Sequence, residues 1–231
     1  MRPPKRPWSG IITEEEERRY QAAGFGGAGG VGTRPGLLII DVQYRTVGTK
    51  PKPYWQAIEE YPTSCGDEGW NAVEAIRPLL AAFRAGGFPV FYPHVAPKNA
   101  QTDAGRLAEK IPSIMGIDAK GYDFVEQVAP RPGEVLLPKK HPSAFFGTPL
   151  TSHLIDLGVD TLFVTGCTTS GCIRSSVTDA FAYNFKVVVP EECVYDRSLT
   201  SHTVNLWDMN AKYADVMPVA EAMGLLEAIP A

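Results

Sequence analysis

The sequence has little that would direct the protein to a membrane or to nucleic acid. No apolar run approaches the roughly 20 residues that a membrane-spanning helix needs. Lysine and arginine total 22 against 26 aspartates and glutamates, which gives a net charge of −4. A negative balance does not favour nucleic acid or an anionic lipid surface. The basic N-terminal residues lack an apolar core, so we expect no secretory signal. From the charge balance and the absence of a long apolar run, we expect no membrane partner and no nucleic acid.

Cysteine and histidine are also scarce, with four of each. The cysteines are scattered along the chain, which predicts a reduced, cytoplasmic protein rather than a disulfide framework. The histidines are far apart and lack the spacing of metal ligands, so we expect no metal and no cofactor. The residues concerned are Cys65, Cys167, Cys172 and Cys193, and His94, His141, His153 and His202.

The apolar pattern alternates between strands and helices along most of the chain. Apolar runs predict strands at 36–41, 88–92, 134–138, 161–165 and 186–190. Helical spacing predicts helices at 70–85, 149–157, 172–183 and 219–229. This alternation predicts a single-domain α/β fold with a mostly parallel, doubly wound sheet and helices on both faces. Residues 44–69 are expected to form a long insertion, and residues 191–213 a long connection.

Residues 1–34 are expected to form an N-terminal arm before a domain at 35–231. Thr13 and Glu16 form the pattern of a capping box, which predicts a short helix at 14–23. The glycine-rich stretch 24–32 follows a helix and precedes a strand, whereas a dinucleotide fingerprint follows a strand and opens a helix. We therefore favour a flexible connector over a phosphate cradle.

A strand, a turn of small residues and a helix follow one another between Thr161 and Lys186. Cys172 lies where the predicted helix begins. The helix dipole and free backbone N–H groups would favour a thiolate there, and the same groups can hold an oxyanion. Cys172 is therefore a candidate nucleophile, although buried cysteines are also common small core residues.

Two further reactive residues lie just past predicted strands, Asp41 and Lys139. The carboxyl ends of parallel strands share one edge of a sheet, so Asp41, Lys139 and Cys172 could converge there. A cysteine can attack a carbonyl while an acid moves protons and a lysine balances the charge. Alone, each has an ordinary alternative: the aspartate could cap a turn, and the Lys139-Lys140 pair could be solvated surface.

Three motifs in this order, LLIIDVQ, KKHPSAFFGTPL and VTGCTTSGCIRSSVTDAF, resemble the isochorismatase-like cysteine hydrolases. Residues 171–198 and 204–216 add a similarity to the N-carbamoylsarcosine amidases, and the resemblance covers roughly residues 35–228. It implies the isochorismatase-like hydrolase fold with a six-stranded sheet, and it implies a homotetramer.

The resemblance also implies roles for particular residues. The family's catalytic triad corresponds to Asp41, Lys139 and Cys172, with Lys139 preferred because it lies four residues before the serine of the SAF motif. The backbone N–H groups of Thr168 and Cys172 correspond to the oxyanion hole, with a cis peptide after Cys167. Arg197 corresponds to an arginine that binds the substrate carboxylate, although a solvated surface arginine is an equal alternative.

The expected activity is that of a cysteine-dependent amidohydrolase. It would cleave a linear C–N amide bond of a small carboxylate-bearing N-carbamoyl compound or amide and release ammonia through a thioester. Maleamate, ureidoacrylate and biuret are alternative substrates. A vinyl-ether hydrolase, a non-catalytic ligand-binding protein and a redox protein with a Cys167–Cys172 pair are the alternatives of other classes.

Overall fold

The computed structural model of the chain describes residues 6–229, and these contain one sheet of seven strands. The strands are β1 (Pro35–Ile40), β2 (Val90–Val95), β3 (Val135–Lys139), β4 (Thr161–Cys167), β5 (Lys186–Pro190), β6 (Val194–Tyr195) and β7 (Asp215–Met217). Their order is β3-β2-β1-β4-β5-β7, β6 pairs with β4, and these pairings are parallel. The prediction of a mostly parallel sheet is confirmed. The sheet has seven strands rather than the expected six, because the short β6 pairs with β4 outside the row of six.

Strand β1 lies at the centre of the sheet and is buried along its whole length. Successive side chains of a strand point to opposite faces. Accordingly, Leu37 and Ile39 belong to one hydrophobic core, whereas Leu38 and Ile40 belong to another on the opposite face. A strand that is apolar on both faces fits only between two helical layers, which explains the continuous apolar run.

Residues 6–229 contain nine α-helices. They are α1 (Glu14–Ala22), α2 (Tyr44–Val47), α3 (Tyr54–Glu60), α4 (Asp67–Ala85), α5 (Gly105–Lys110), α6 (Leu150–Asp156), α7 (Arg174–Ala182), α8 (Leu199–Lys212) and α9 (Val219–Glu227). Helices α4 and α9 contribute to the first core. Helices α6, α7 and α8 contribute to the second. The doubly wound arrangement is therefore confirmed.

Two segments without a predicted secondary structure contain helices. The insertion at 44–69 holds α2 and α3, and the connection at 191–213 holds β6 and α8. Helix α8 buries Thr203 and Asn205 beside Leu206 and Met209, so its inward face is partly polar. This mixed face explains why the apolar spacing did not reveal the helix.

The N-terminal arm is attached to the domain rather than loose. Helix α1 begins with the predicted capping box. Beyond it, the N–H groups of Gly29 and Gly30 donate to the two carboxylate oxygens of Asp215, at 2.9 and 2.7 Å. Both N–H groups are therefore occupied and cannot serve as a phosphate cradle. The glycine-rich stretch is a connector, but these hydrogen bonds hold it in place. Residues 1–5 of the arm and 230–231 of the predicted domain lie outside the described residues. Within 6–229, no helix is both long and apolar enough to cross a membrane.

Candidate active site

Three strands bring the predicted reactive residues to one edge of the sheet. Asp41 follows β1, Lys139 ends β3, and Cys172 lies in the turn after β4. The Nζ atom of Lys139 lies 2.7 Å from Asp41 Oδ2 and 3.3 Å from Cys172 Sγ. The lysine therefore bridges the other two side chains, in the arrangement expected from the strand ends.

Only one of the two consecutive lysines enters this site. Lys139 is 2% exposed and also donates to the carbonyl of His141 at 3.2 Å. The side chain of Lys140 points away and forms an ion pair with Asp103. This difference follows from the alternation of side chains along β3.

The surroundings of the site raise the pKa values of both the lysine and the thiol. Burial alone would lower the pKa of Lys139, but Asp41 and Cys172 outweigh it, so this pKa lies above its ordinary value. Burial and the neighbouring charge of Asp41 raise the pKa of the Cys172 thiol, and Lys139 offsets them only in part. These effects act against the resting thiolate that the helix start suggested. Helix α7 begins only at Arg174, two residues after the thiol.

Asp41 has an unusual backbone that the surrounding residues hold in place. Its φ of 57° lies in the left-handed region, which few residues other than glycine adopt. Its carbonyl accepts hydrogen bonds from Gln43 N at 2.9 Å and Thr46 Oγ1 at 2.8 Å. Thr46 Oγ1 in turn lies 2.9 Å from the hydroxyl of Tyr195. Asp41 Oδ1 is buried and has no hydrogen-bond partner among the described residues.

The turn that carries Cys172 is compact. A cis peptide joins Cys167 to Thr168, and Thr169–Ile173 form one π-helical turn. A Cβ atom at Gly171 would lie 2.7 Å from Thr168 Oγ1, so a larger residue there would require the Thr168 side chain to move. The two residues predicted to supply oxyanion-hole N–H groups, Thr168 and Cys172, stand at the start and within this turn.

The comparisons with known proteins agree on the family. Residues 35–221 match the family model of the isochorismatase domain. The chain belongs to the isochorismatase family.

Relatives of this isochorismatase-family protein include two amidohydrolases. It is 38% identical over 200 residues to maleamate amidohydrolase of Pseudomonas putida, covering 84% of this chain and 87% of the relative. It is 33% identical over 218 residues to N-carbamoylsarcosine amidase of Arthrobacter sp., covering 91% of this chain and 78% of the relative. The crystal structure of a cysteine hydrolase from Pseudomonas syringae pv. phaseolicola matches the fold with a TM-score of 0.75, at 21% identity over 86% of this chain and 94% of that one.

Arg197 lies apart from the bridged residues of this family member. Its side chain is 40% exposed, and Nη2 donates to the carbonyl of Thr63 at 3.3 Å. It lines a pocket of about 480 Å³, together with Tyr54, Leu199 and His202 among others. Asp41, Lys139 and Cys172 are not among the residues that line this pocket. The predicted substrate-binding arginine is thus near the nucleophile turn but not in contact with the bridged side chains.

Sequence reasoning missed the contacts that hold the nucleophile turn from the side of α8. Asp196 Oδ2 accepts from Ser170, and Thr169 Oγ1 lies 2.8 Å from His202 Nδ1. Burial lowers the pKa of His202, although Asp196 acts in the opposite direction. The signal for these contacts was weak, because α8 itself was not predicted. The Ser198 N-cap before Leu199 was the available clue.

The remaining cysteines and the histidines show no second reactive centre. Cys65, Cys167 and Cys193 are buried free thiols, whereas Cys172 is partly exposed. Burial raises the pKa of Cys167. Across residues 6–229, no group of three histidine, cysteine, aspartate or glutamate side chains is arranged to hold a metal ion.

Proposed function

We propose that this protein is a cysteine-dependent amidohydrolase that cleaves the C–N bond of a small, carboxylate-bearing amide or N-carbamoyl compound and releases ammonia. The observation that carries the proposal is the position of Lys139 Nζ between Asp41 Oδ2 and Cys172 Sγ. The maleamate and N-carbamoylsarcosine enzymes among its relatives support the same chemistry.

The first half of the reaction forms a thioester. Cys172 is a thiol at rest, and the unpartnered Oδ1 of Asp41 accepts its proton as the sulfur attacks the substrate carbonyl. The backbone N–H groups of Thr168 and Cys172 stabilise the oxyanion of the tetrahedral intermediate. When the C–N bond breaks, Asp41 returns the proton to the leaving nitrogen, which departs as ammonia.

The second half regenerates the enzyme. Water attacks the thioester, Asp41 accepts its proton, and the thiol leaves with that proton as the acid product is released. The neighbouring Asp41 and Cys172 raise the pKa of Lys139, so its ammonium group stays charged and balances the charge of the site. For an N-carbamoyl substrate, the released N-carboxy product is a carbamic acid, which decomposes to carbon dioxide and the free amine.

Arg197 is proposed to bind the substrate carboxylate. Among residues 6–229, its guanidinium makes one hydrogen bond, to Thr63 O, and a loose contact with Asp196 at 3.8 Å, so donors remain for a ligand. A planar guanidinium can bind a carboxylate through two parallel hydrogen bonds.

We also propose that the protein forms the homotetramer implied by the family resemblance. Light scattering in solution would test this assembly.

The test is ammonia release from a panel of substrates. N-carbamoylsarcosine and maleamate come first, followed by ureidoacrylate, other N-carbamoyl amino acids, nicotinamide and biuret. Biuret and nicotinamide lack a carboxylate and serve as the neutral comparison. Release from an acid-bearing member, lost in Cys172→Ala, is the expected result. If no member of the panel released ammonia and Cys172 were also unreactive, a ligand-binding protein would be favoured instead.

A further inference from the structure

The turn that carries Cys172 has little support of its own. It is a single π-helical turn, Thr169–Ile173, between the end of β4 and the start of α7. Backbone N–H groups at the start of a helix lack intrahelical partners and need other acceptors. The group of interest is the N–H of Ser170, two residues before the thiol.

Asp196 supplies that acceptor from a distant part of the chain. Its Oδ2 accepts from Ser170 N at 2.8 Å and from Ser170 Oγ at 2.6 Å. Its side chain is only 2% exposed. A buried carboxylate is costly unless it is hydrogen-bonded, and these two short bonds supply most of the compensation.

Asp196 is not primarily the partner of Arg197. The guanidinium Nη1 lies 3.8 Å from Asp196 Oδ1, which is beyond hydrogen-bond distance. The contact that Oδ1 does make with this residue is with its backbone, because Arg197 N donates to it at 2.8 Å. The carboxylate therefore joins two backbone segments, and its shortest contacts are with the nucleophile turn.

We propose that Asp196 is a positioning residue for Cys172: by holding Ser170, it fixes the turn in which the thiol lies, separately from any contact that Arg197 makes with substrate. The inference rests on the proposed role of Cys172 as the nucleophile. It predicts that Asp196 and Arg197, although adjacent, affect different kinetic constants.

The variant Asp196→Asn tests this with almost no change in shape. The carboxylate accepts on both oxygens, whereas an amide accepts on one and donates from the other. In either orientation the amide NH₂ group faces a backbone N–H group, that of Ser170 or that of Arg197. The variant therefore loses the hydrogen bond to one of these two backbone segments, while the side-chain volume is retained.

Steady-state kinetics on the acid-bearing substrate that the wild type hydrolyses provide the first readout. We expect Asp196→Asn to lower kcat about 10-fold or more, because small displacements of a reacting group are costly. KM should stay within about 3-fold, whereas Arg197→Met should chiefly raise KM. A raised KM with unchanged kcat in Asp196→Asn would overturn the proposal, since the carboxylate would then act through the arginine.

Asp208→Asn is the matched control. Asp208 is also an acid held against the start of α7, through a contact of 3.1 Å with Arg174 Nη1, but it does not contact the turn. Partly exposed ion pairs contribute little, so kcat of Asp208→Asn should stay within about 2-fold of the wild-type value.

If Asp196→Asn does not fold, Ser170→Ala provides a second test. It removes one of the two hydrogen bonds to Asp196 and should lower kcat about 3-fold. No loss in that variant would count against the proposal.

Alkylation of Cys172 by iodoacetamide gives a readout that needs no substrate. Cys167 lies five residues before Cys172 in the same tryptic peptide, so fragmentation of that peptide is used to assign the label to Cys172. A displaced turn loses the 3.3 Å contact with Lys139, so we expect slower alkylation in Asp196→Asn and an unchanged rate in Asp208→Asn. An equal or faster rate in Asp196→Asn would overturn the proposal. If the wild type hydrolyses nothing on the panel but the rates differ as expected, the proposed function fails and the positioning role remains.

Discussion

Lys139 and Asp41 form a buried ion pair, with Nζ 2.7 Å from Oδ2 and neither side chain more than 3% exposed. Taking two charges out of water is expensive, and a well-packed apolar pair is often at least as stable. Stability alone does not explain such a pair at the edge of the sheet. The proposed acyl transfer would explain it, because that chemistry uses a charged group and a proton acceptor beside the thiol of Cys172.

Lys139→Met should destabilise the protein, because it leaves the Asp41 carboxylate buried without its partner. We expect the free energy of unfolding to fall by about 3–5 kcal/mol, as measured by urea denaturation. The double variant Asp41→Asn/Lys139→Met removes both charges and should recover part of this loss. If Lys139→Met alone were as stable as the wild type, the ion pair would not be buried as described.

Thr46→Val should impair activity without touching the bridged side chains. It deletes the hydroxyl that donates to the Asp41 carbonyl and holds its left-handed backbone. We expect a loss of about 1–3 kcal/mol in stability and a fall in kcat measured by ammonia release. Tyr195→Phe is the milder control, because Thr46 can still donate to Asp41 in it. Equal effects of the two variants would mean that the Asp41 contact is not the important one.

The alkylation rate of Cys172 should rise with pH and show no plateau near neutrality. Burial and Asp41 raise the pKa of this thiol above its ordinary value of 9.0. Below that pKa the reactive thiolate is a small fraction, so the rate should increase about 10-fold per pH unit. A pH profile of iodoacetamide labelling, with Cys172→Ala as the blank, measures this. A plateau beginning below pH 7 would instead reveal a resting thiolate.

Glu134 should make stability dependent on pH in the acid range. It forms two hydrogen bonds with Arg84, from Nε at 2.7 Å and from Nη2 at 2.9 Å. Burial acts to raise the pKa of Glu134, but hydrogen bonds from Arg84 and Arg131 outweigh it and leave it below the ordinary 4.5. A depressed carboxyl pKa stabilises the fold above the unfolded-state value, and this contribution is lost as the pH falls through the folded-state value.

Glu134→Gln should therefore lower the free energy of unfolding by about 1–3 kcal/mol near neutral pH. The difference from the wild type should shrink below pH 4.5 and disappear in stronger acid, where the wild-type carboxyl is also neutral. Thermal unfolding of both proteins across this range measures it. A difference that stays constant with pH would show that the charge of Glu134 is not responsible.

The sequence predicted the parts of the fold that depend on local patterns. The continuous apolar run of β1 identified a buried strand, and the strand ends then placed Asp41, Lys139 and Cys172 on one edge. The two-residue β6 and three-residue β7 could not be predicted, because so few residues carry no periodicity. Contacts such as Asp196 to Ser170 join residues 26 positions apart and depend on tertiary packing.

The pKa of Cys172 likewise depends on tertiary contacts that the sequence does not reveal. Its place near a helix start indicated a lowered pKa, which is a local effect. Burial and the charge of Asp41 act in the opposite direction and exist only in the folded chain. The residue types of the site were thus predictable, whereas the effect of the folded surroundings on the pKa of the thiol was not.

The central claim is that Cys172 forms a covalent thioester, and rapid acid quenching followed by mass analysis tests it most directly. The protein is mixed with maleamate or N-carbamoylsarcosine, whichever it hydrolyses, and the peptide containing Cys172 is weighed. We predict an increase equal to the acyl group, which appears within the first turnover and is absent from Cys172→Ala, together with loss of ammonia release in that variant. Ammonia release that persists in Cys172→Ala would contradict the account.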